Sequence, residues 1–137
     1  MGRILCIDYG SKRTGLAVSD PLRMIASPLD TLHTKDLFDF LQKYVPAEGV
    51  DLILIGYPTN LDETATHATP LVQACINRLK KLFPAIPLET VDEHFTSKLA
   101  SRAMIDMGMK KKDRQQKGNI DQIAAAIMLQ EYMQYKL

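Results

Sequence analysis

Two cysteines in 137 residues are too few for a disulfide framework, and neither stands at a spacing from other Cys or His that would hold zinc. A reducing, cytoplasmic setting fits such a chain. No apolar run approaches the roughly 18 residues that a bilayer crossing needs, and the N-terminus enters an apolar segment directly, without a charged-then-apolar leader; neither secretion nor membrane insertion is expected. The chain has almost no net charge, +1 in all, which excludes a globally basic protein and requires that any attraction to a polyanion come from a local patch. It shows no internal repeat, no helix-turn-helix, no zinc finger and no aromatic-rich binding strand, so direct readout of base edges is not expected. With 46% hydrophobic residues, residues 1–137 are expected to form one domain around a single core.

Present instead is an apolar opening interrupted by acid and glycine, from Arg3 through Asp8 and Gly10 to Ser19. Arg3–Ile7 and Thr14–Ser19 have the β-branched and aliphatic content of two strands joined by a Gly-containing turn. A third strand is expected over Arg23–Leu29, with Thr31–Thr34 leading into a helix. That helix carries Leu37, Phe38, Leu41 and Val45 at helical spacing and is expected to stop at Pro46 and Gly49. Asp51–Gly56 reads as a strand covered on both faces. Residues 63–83 predict a second helix, regular only from about Pro70, with Leu71, Cys75, Leu79 and Leu82 on one side. Leu88–Asp92 predicts a fifth strand, Ser97–Met107 a third helix and Ile120–Met133 a fourth, with Gly108–Gly118 as a basic loop between the last two. Three antiparallel strands followed by alternating helices and strands make an α/β fold with a five-stranded mixed sheet. The right-handed crossover rule then puts the exits after Asp8, Gly56 and Asp92 along one sheet edge, where ligands of such folds gather.

Asp8 at a strand exit can hydrogen-bond the following turn, as Asp beside Gly often does. Asp121 stands where Asn119 can cap a helix and Gln122 can close a capping box, and an acid in a first helical turn complements the helix dipole without further purpose. The apolar face of that helix, Ile120, Ile123, Ala124 and Ile127, would nevertheless carry its first turn to the same edge, and Ala124–Ala126 permits close approach. Asp8, Glu93 and Asp121 would then cluster. Carboxylates gathered without matching bases repel one another, and a hard divalent cation, Mg2+ or Mn2+, is the ordinary remedy. Such ions support phosphodiester hydrolysis, which makes Asp8, Glu93 and Asp121 both the candidate catalytic residues and the candidate metal ligands. His94 is either a phosphate contact or a polar rim residue.

Four ordered segments, Asp8–Ala17, Gly56–Asn60, Asp92–Ser97 and Ile120–Ala125, resemble the YqgF (RuvX) family over nearly the whole chain, from Gly2 to about Tyr132. The resemblance implies a ribonuclease H-like fold, a bacterial cytoplasmic protein and a metal-dependent endonuclease with Asp8, Glu93 and Asp121 as its site. It further implies either maturation of the 5′ end of pre-16S ribosomal RNA or resolution of Holliday junctions. The chain departs from the family pattern at Asp62-Glu63, where members commonly carry an Asp-Gly turn, and at His94, where Arg commonly follows the Glu. The second departure removes a permanent cation from the neighbourhood of the acids.

From Lys98 to Lys117 seven bases, Lys98, Arg102, Lys110, Lys111, Lys112, Arg114 and Lys117, face only Asp106 and Asp113. A basic lip beside an acidic site is expected to hold a nucleic acid, pre-rRNA or branched DNA; as a mere solvated loop it would only keep the chain soluble. Lys12 and Arg13 would add phosphate contacts from the first turn. Tyr9 and Tyr57 would either stack on bases or pack at the sheet edge. Two other readings stay open at this point: a non-catalytic RNA-binding or ribosome-assembly factor, and a nucleotide-binding hairpin like that of actin-like ATPases, which need a second lobe. The expected assembly is a monomer or a homodimer.

Overall fold

The computed structural model describes residues 2–57, 69–92 and 117–136. Its elements run β1 (Arg3–Asp8), β2 (Arg13–Ser19), β3 (Ala26–His33), a 3-10 turn (Thr34–Asp36), α1 (Leu37–Glu48), β4 (Val50–Tyr57), α2 (Thr69–Leu82), β5 (Leu88–Asp92) and α3 (Lys117–Lys136). The five strands form one sheet in the order β3-β2-β1-β4-β5. β1, β2 and β3 pair antiparallel, while β4 and β5 join parallel to β1, as the crossover argument requires.

Alternation along the strands sorts the core into two layers. Leu5, Ile7, Leu16, Ile53 and Ile55 point to one face, where they meet Leu37, Leu41 and Val45 of α1 and Val72, Cys75, Ile76 and Leu79 of α2. Ile4, Cys6, Ala17, Leu52 and Leu54 point to the other, under Ala125, Ala126, Met128, Leu129 and Met133 of α3. β4 is therefore covered on both sides, which explains its unbroken apolar sequence.

Several boundaries differ from expectation for identifiable reasons. The third strand is Ala26–His33 rather than Arg23–Leu29. Asp20 accepts the Met24 and Ile25 N–H groups at 2.7 and 2.8 Å, Arg23 turns left-handed at φ 58°, and the turn consumes the residues that would have opened the strand. Pro28 sits within β3 without ending it, because β3 is an edge strand and the register shifts there, between Leu16 and Ala17 of β2. Pro46 likewise lies inside α1; the helix stops at Gly49, whose φ of 69° is the left-handed cap that glycine supplies. Leu71 is 44% exposed, and Val72 and Ile76 take its expected place in the core. α3 begins at Lys117, so Lys117 and Gly118 are helical rather than loop, and Asn119 is inside the helix rather than its cap. Its buried face is broader than expected: Ala125, Ala126, Met128, Leu129 and Met133 join Ile123 and Ala124, while Ile127 is half-exposed. The expected helix at Ser97–Met107 lies outside the described residues. Among the described residues no helix is long and apolar enough to cross a membrane.

Candidate active site

β1 carries Asp8 to its C-terminal end, where β2 turns back to place Gly15 directly opposite. β4 runs parallel to β1 with Ile7 beside Ile55, so the next residues, Asp8 and Gly56, stand level; Gly56 in turn pairs with Val91 of β5. On the far side Gly15 pairs with Thr31 of β3. One row therefore crosses the whole sheet: Thr31, Gly15, Asp8, Gly56, Val91. Residues in register share a face, and for this row it is the α3 face, two residues on from Ile4 and Cys6 of the core beneath α3.

The row has one consequence that motif spacing alone does not give. Asp8 is flanked on both neighbouring strands by glycine, so no side chain rises beside its carboxylate from either. Both glycines are themselves buried.

α3 crosses β2, β3 and β1, and its first turns meet this same row. Gln122 does not close a capping box. Its side-chain carbonyl instead accepts the Thr31 hydroxyl at 3.3 Å. That contact fixes the backbone position of Asp121, one residue earlier, above the β3 end of the Asp8 row. The Ala124–Ala126 run is buried throughout, which lets the helix lie close to the sheet. Glu93 follows Asp92, the last residue of β5, which pairs with Tyr57 at the same edge. Glu93, His94, Lys98, Lys110, Lys111, Lys112 and Arg114, the departures at Asp62-Glu63, and the side chains of Asp121 and Lys117 lie outside the described residues. Among the described residues no three His, Cys, Asp or Glu side chains gather closely enough to hold a metal ion.

Tyr9 and Tyr57 occupy the opposite face. Both pack, half-buried, against the core beneath α1 and α2, which is the edge-packing alternative rather than base stacking. Burial, with a smaller contribution from Cys75, raises the Tyr9 phenol above its ordinary pKa and keeps it neutral.

Lys12 and Arg13 are exposed at the β1–β2 turn, at the Asp8 end of the sheet. The turn is closely tied. Thr34 donates its N–H to the Lys12 carbonyl at 3.0 Å and its hydroxyl to the Gly10 carbonyl at 2.6 Å, and Thr14 meets the Thr34 hydroxyl at 2.9 Å. A Cβ at Gly10 would overlap the Arg13 carbonyl, so the turn closes this tightly only with glycine there. The sequence reading missed two residues that this folding brings alongside: His33, paired with Arg13, and Lys35, just beyond it. Placing the third strand three residues too early hid them.

A family model, RuvX, described as Holliday junction resolvase, matches residues 2–135. The chain belongs to this family. Among curated RuvX relatives, a Phocaeicola vulgatus protein named "Putative pre-16S rRNA nuclease" is 48% identical over 136 residues, covering 99% of this chain and 98% of that one. A Flavobacterium psychrophilum protein of the same name is 44% identical over 137 residues, with complete coverage of both. Among solved structures, Thermus thermophilus RuvC in complex with a Holliday junction substrate superposes with a TM-score of 0.59 at 14% identity, covering 99% of this chain and 97% of that one. At that identity the likeness establishes the fold, which is ribonuclease H-like as the family resemblance implies, with the five-stranded mixed sheet expected from the order of strands and helices.

Proposed function

We infer that this chain is a cytoplasmic, metal-dependent nuclease that hydrolyses phosphodiester bonds, with Asp8, Glu93 and Asp121 as its catalytic carboxylates and the 5′ end of pre-16S rRNA as its target. The observation that carries the site is the register row in which Asp8 stands between Gly15 and Gly56. In that row neither neighbouring strand sets a side chain beside the first carboxylate, and the helix bearing a second is held to the same row by Gln122 and Thr31. The names borne by close, full-length relatives support the substrate.

The donor set suits Mg2+ or Mn2+, since all three ligands are hard carboxylate oxygens. When bound, such a cation supplies the Lewis acidity that activates water and stabilises the leaving oxygen. The protein's part is placement. β1 is the central strand, hydrogen-bonded on both sides, so Asp8 is held by the stiffest part of the sheet, while α3 brings Asp121 by close packing of alanines. Lys12 and Arg13 draw the polyanion to the edge and offset the repulsion between its phosphates and the acids.

The description of the family model favours a second reading, resolution of branched DNA. That reaction requires two sites related by a two-fold axis and so a homodimer, whereas trimming an RNA end needs one site and a monomer suffices. The test is cleavage by wild type and Asp8→Asn of a labelled RNA spanning the pre-16S 5′ leader and of a four-way DNA junction, each with Mg2+, Mn2+ or EDTA. Metal-dependent cutting of the RNA by wild type, abolished in Asp8→Asn, is the expected result. Cutting of the junction alone moves the assignment to DNA, and cutting that survives in Asp8→Asn refutes the site.

A further inference from the structure

We propose that Lys12, Arg13, His33 and Lys35 form an anchoring groove for a backbone phosphate of the nucleic-acid substrate, on the β2–β3 side of Asp8 and distinct from the phosphate that is cut. The proposal deepens the nuclease reading and rests on it. Ser11 and these four residues line a shallow cavity of about 470 Å³, and no carboxylate is among them. All five are exposed.

Three features make the groove a phosphate site rather than a scatter of surface bases. Its floor is fixed, because the Thr34 bonds to Lys12 and Gly10 lock the first turn against the end of β3. Its donors are complementary to an anion: Arg13 stands directly opposite His33 in the β2–β3 ladder, putting guanidinium and imidazole N–H groups side by side, with an ammonium on either flank. Its position is also appropriate. Arg13 lies two residues along β2 from Gly15, the partner of Asp8, and on the same face, so the groove is about 7 Å further along the strand and one strand over. A phosphate held there is a neighbour of the one beside Asp8, and the strand would be led across the site from the β3 side.

The test separates this inference from the nuclease reading by measuring binding without cutting. Fluorescence anisotropy of a labelled RNA spanning the pre-16S 5′ leader is followed in EDTA at pH 8 across a salt series, for wild type, Lys35→Ala, Lys35→Arg, His33→Ala and the remote control Lys43→Ala. Removing one phosphate-neutralising charge reduces the slope of log affinity against log salt by about 0.7–0.9, which is roughly a five- to eightfold loss at 0.1 M salt. Lys35→Ala is expected to show that change and Lys35→Arg to restore it. His33→Ala is expected to weaken binding with a smaller change of slope, since its contribution is a hydrogen bond more than a charge. Lys43, exposed on α1, is expected to have no effect. All variants should keep the wild-type urea midpoint. The inference falls if Lys35→Ala and His33→Ala behave as Lys43→Ala does, or if wild type does not bind the RNA. Altered binding in these variants with no metal-dependent cutting by wild type would instead sustain the groove and overturn the nuclease.

Discussion

Ala125 and Leu129 are neighbours on the buried face of α3, both 0% exposed and both packed on Ile4, Cys6, Leu52 and Leu54. Opposite changes at the two should separate stability from catalysis. Leu129→Ala removes three buried carbons and leaves a cavity; by the Leu→Ala range it should cost about 2.7–5.0 kcal/mol, while Ala124–Ala126, about one turn N-terminal, still hold the helix at its present height. Ala125→Leu adds three carbons at a fully buried point between helix and sheet. Overpacking of this kind costs about 1–3 kcal/mol and is relieved only by lifting the helix. Asp121 lies one turn N-terminal to Ala125, so a lift of about 1 Å moves that carboxylate relative to Asp8, and misplacement on that scale costs on the order of 100-fold in rate. The variant that is less destabilised should thus be the poorer catalyst. Urea unfolding followed by circular dichroism gives the stabilities, and single-turnover cleavage at 25 °C, where both variants remain mostly folded, gives the rates. A wild-type rate in Ala125→Leu would refute the claim that helix–sheet spacing sets the site. Equal rate losses in both variants would mean that general loosening is responsible.

Gly49→Ala should cost about 1–2 kcal/mol by urea titration, purely from its left-handed backbone, because an added Cβ meets nothing within 4 Å; an unchanged midpoint would show that the cap has shifted. Cys6 and Cys75 are both buried and neither is in a disulfide, and burial pushes the Cys75 thiol up to about 12, so neither should react with a disulfide reagent at pH 8 in the native state, while both should react once urea unfolds the chain. Tyr132 donates to Glu89, and burial first, then that bond, raise its phenol to about 12 from an ordinary 10. A raised pKa stabilises the folded state below the unfolded value and ceases to do so as pH rises through the folded one, so stability should fall between pH 10 and 12, and less steeply in Tyr132→Phe. Identical pH profiles for the two would remove that contact from the account.

Where local pattern and tertiary demand coincide, the sequence was readable. The apolar run of β4 implies burial on both faces, the aliphatic content of β1 and β2 on either side of a Gly-containing turn implies the hairpin, and the crossover rule brings the ends of β1, β4 and β5 to one edge. The errors arose where a contact or a position in the fold overrode a local signal. Pro28 and Pro46 suggested stops, yet an edge strand with a register shift accommodates the first and α1 runs on through the second to Gly49. Asp20, using its carboxylate on Met24 and Ile25, moved the start of β3 and with it His33 and Lys35. Gln122 has the spacing of a capping residue, but its partner is Thr31, 91 positions away, and only the folded sheet reveals that.

The two glycines beside Asp8 were visible in the sequence, since Gly15 and Gly56 both fall in the segments that carry the family resemblance. Their purpose was not, because it depends on register. Each reads locally as a turn or a strand interruption, and a glycine within a strand weakens it. Counting the pleat outward from Asp8 changes that reading: both positions face α3, and any side chain there would stand beside the carboxylate. The two strands that flank β1 both carry glycine in one row, and that row is the one containing a charged group at the edge where α3 arrives. A carboxylate that takes up a cation and a phosphate would be crowded by side chains on either hand, whereas one that merely tied down a turn would be served as well by alanine or serine neighbours. Gly15→Ala and Gly56→Ala should therefore reduce cleavage more than their effect on stability explains, and retention of full activity in both would return Asp8 to the role of a turn residue.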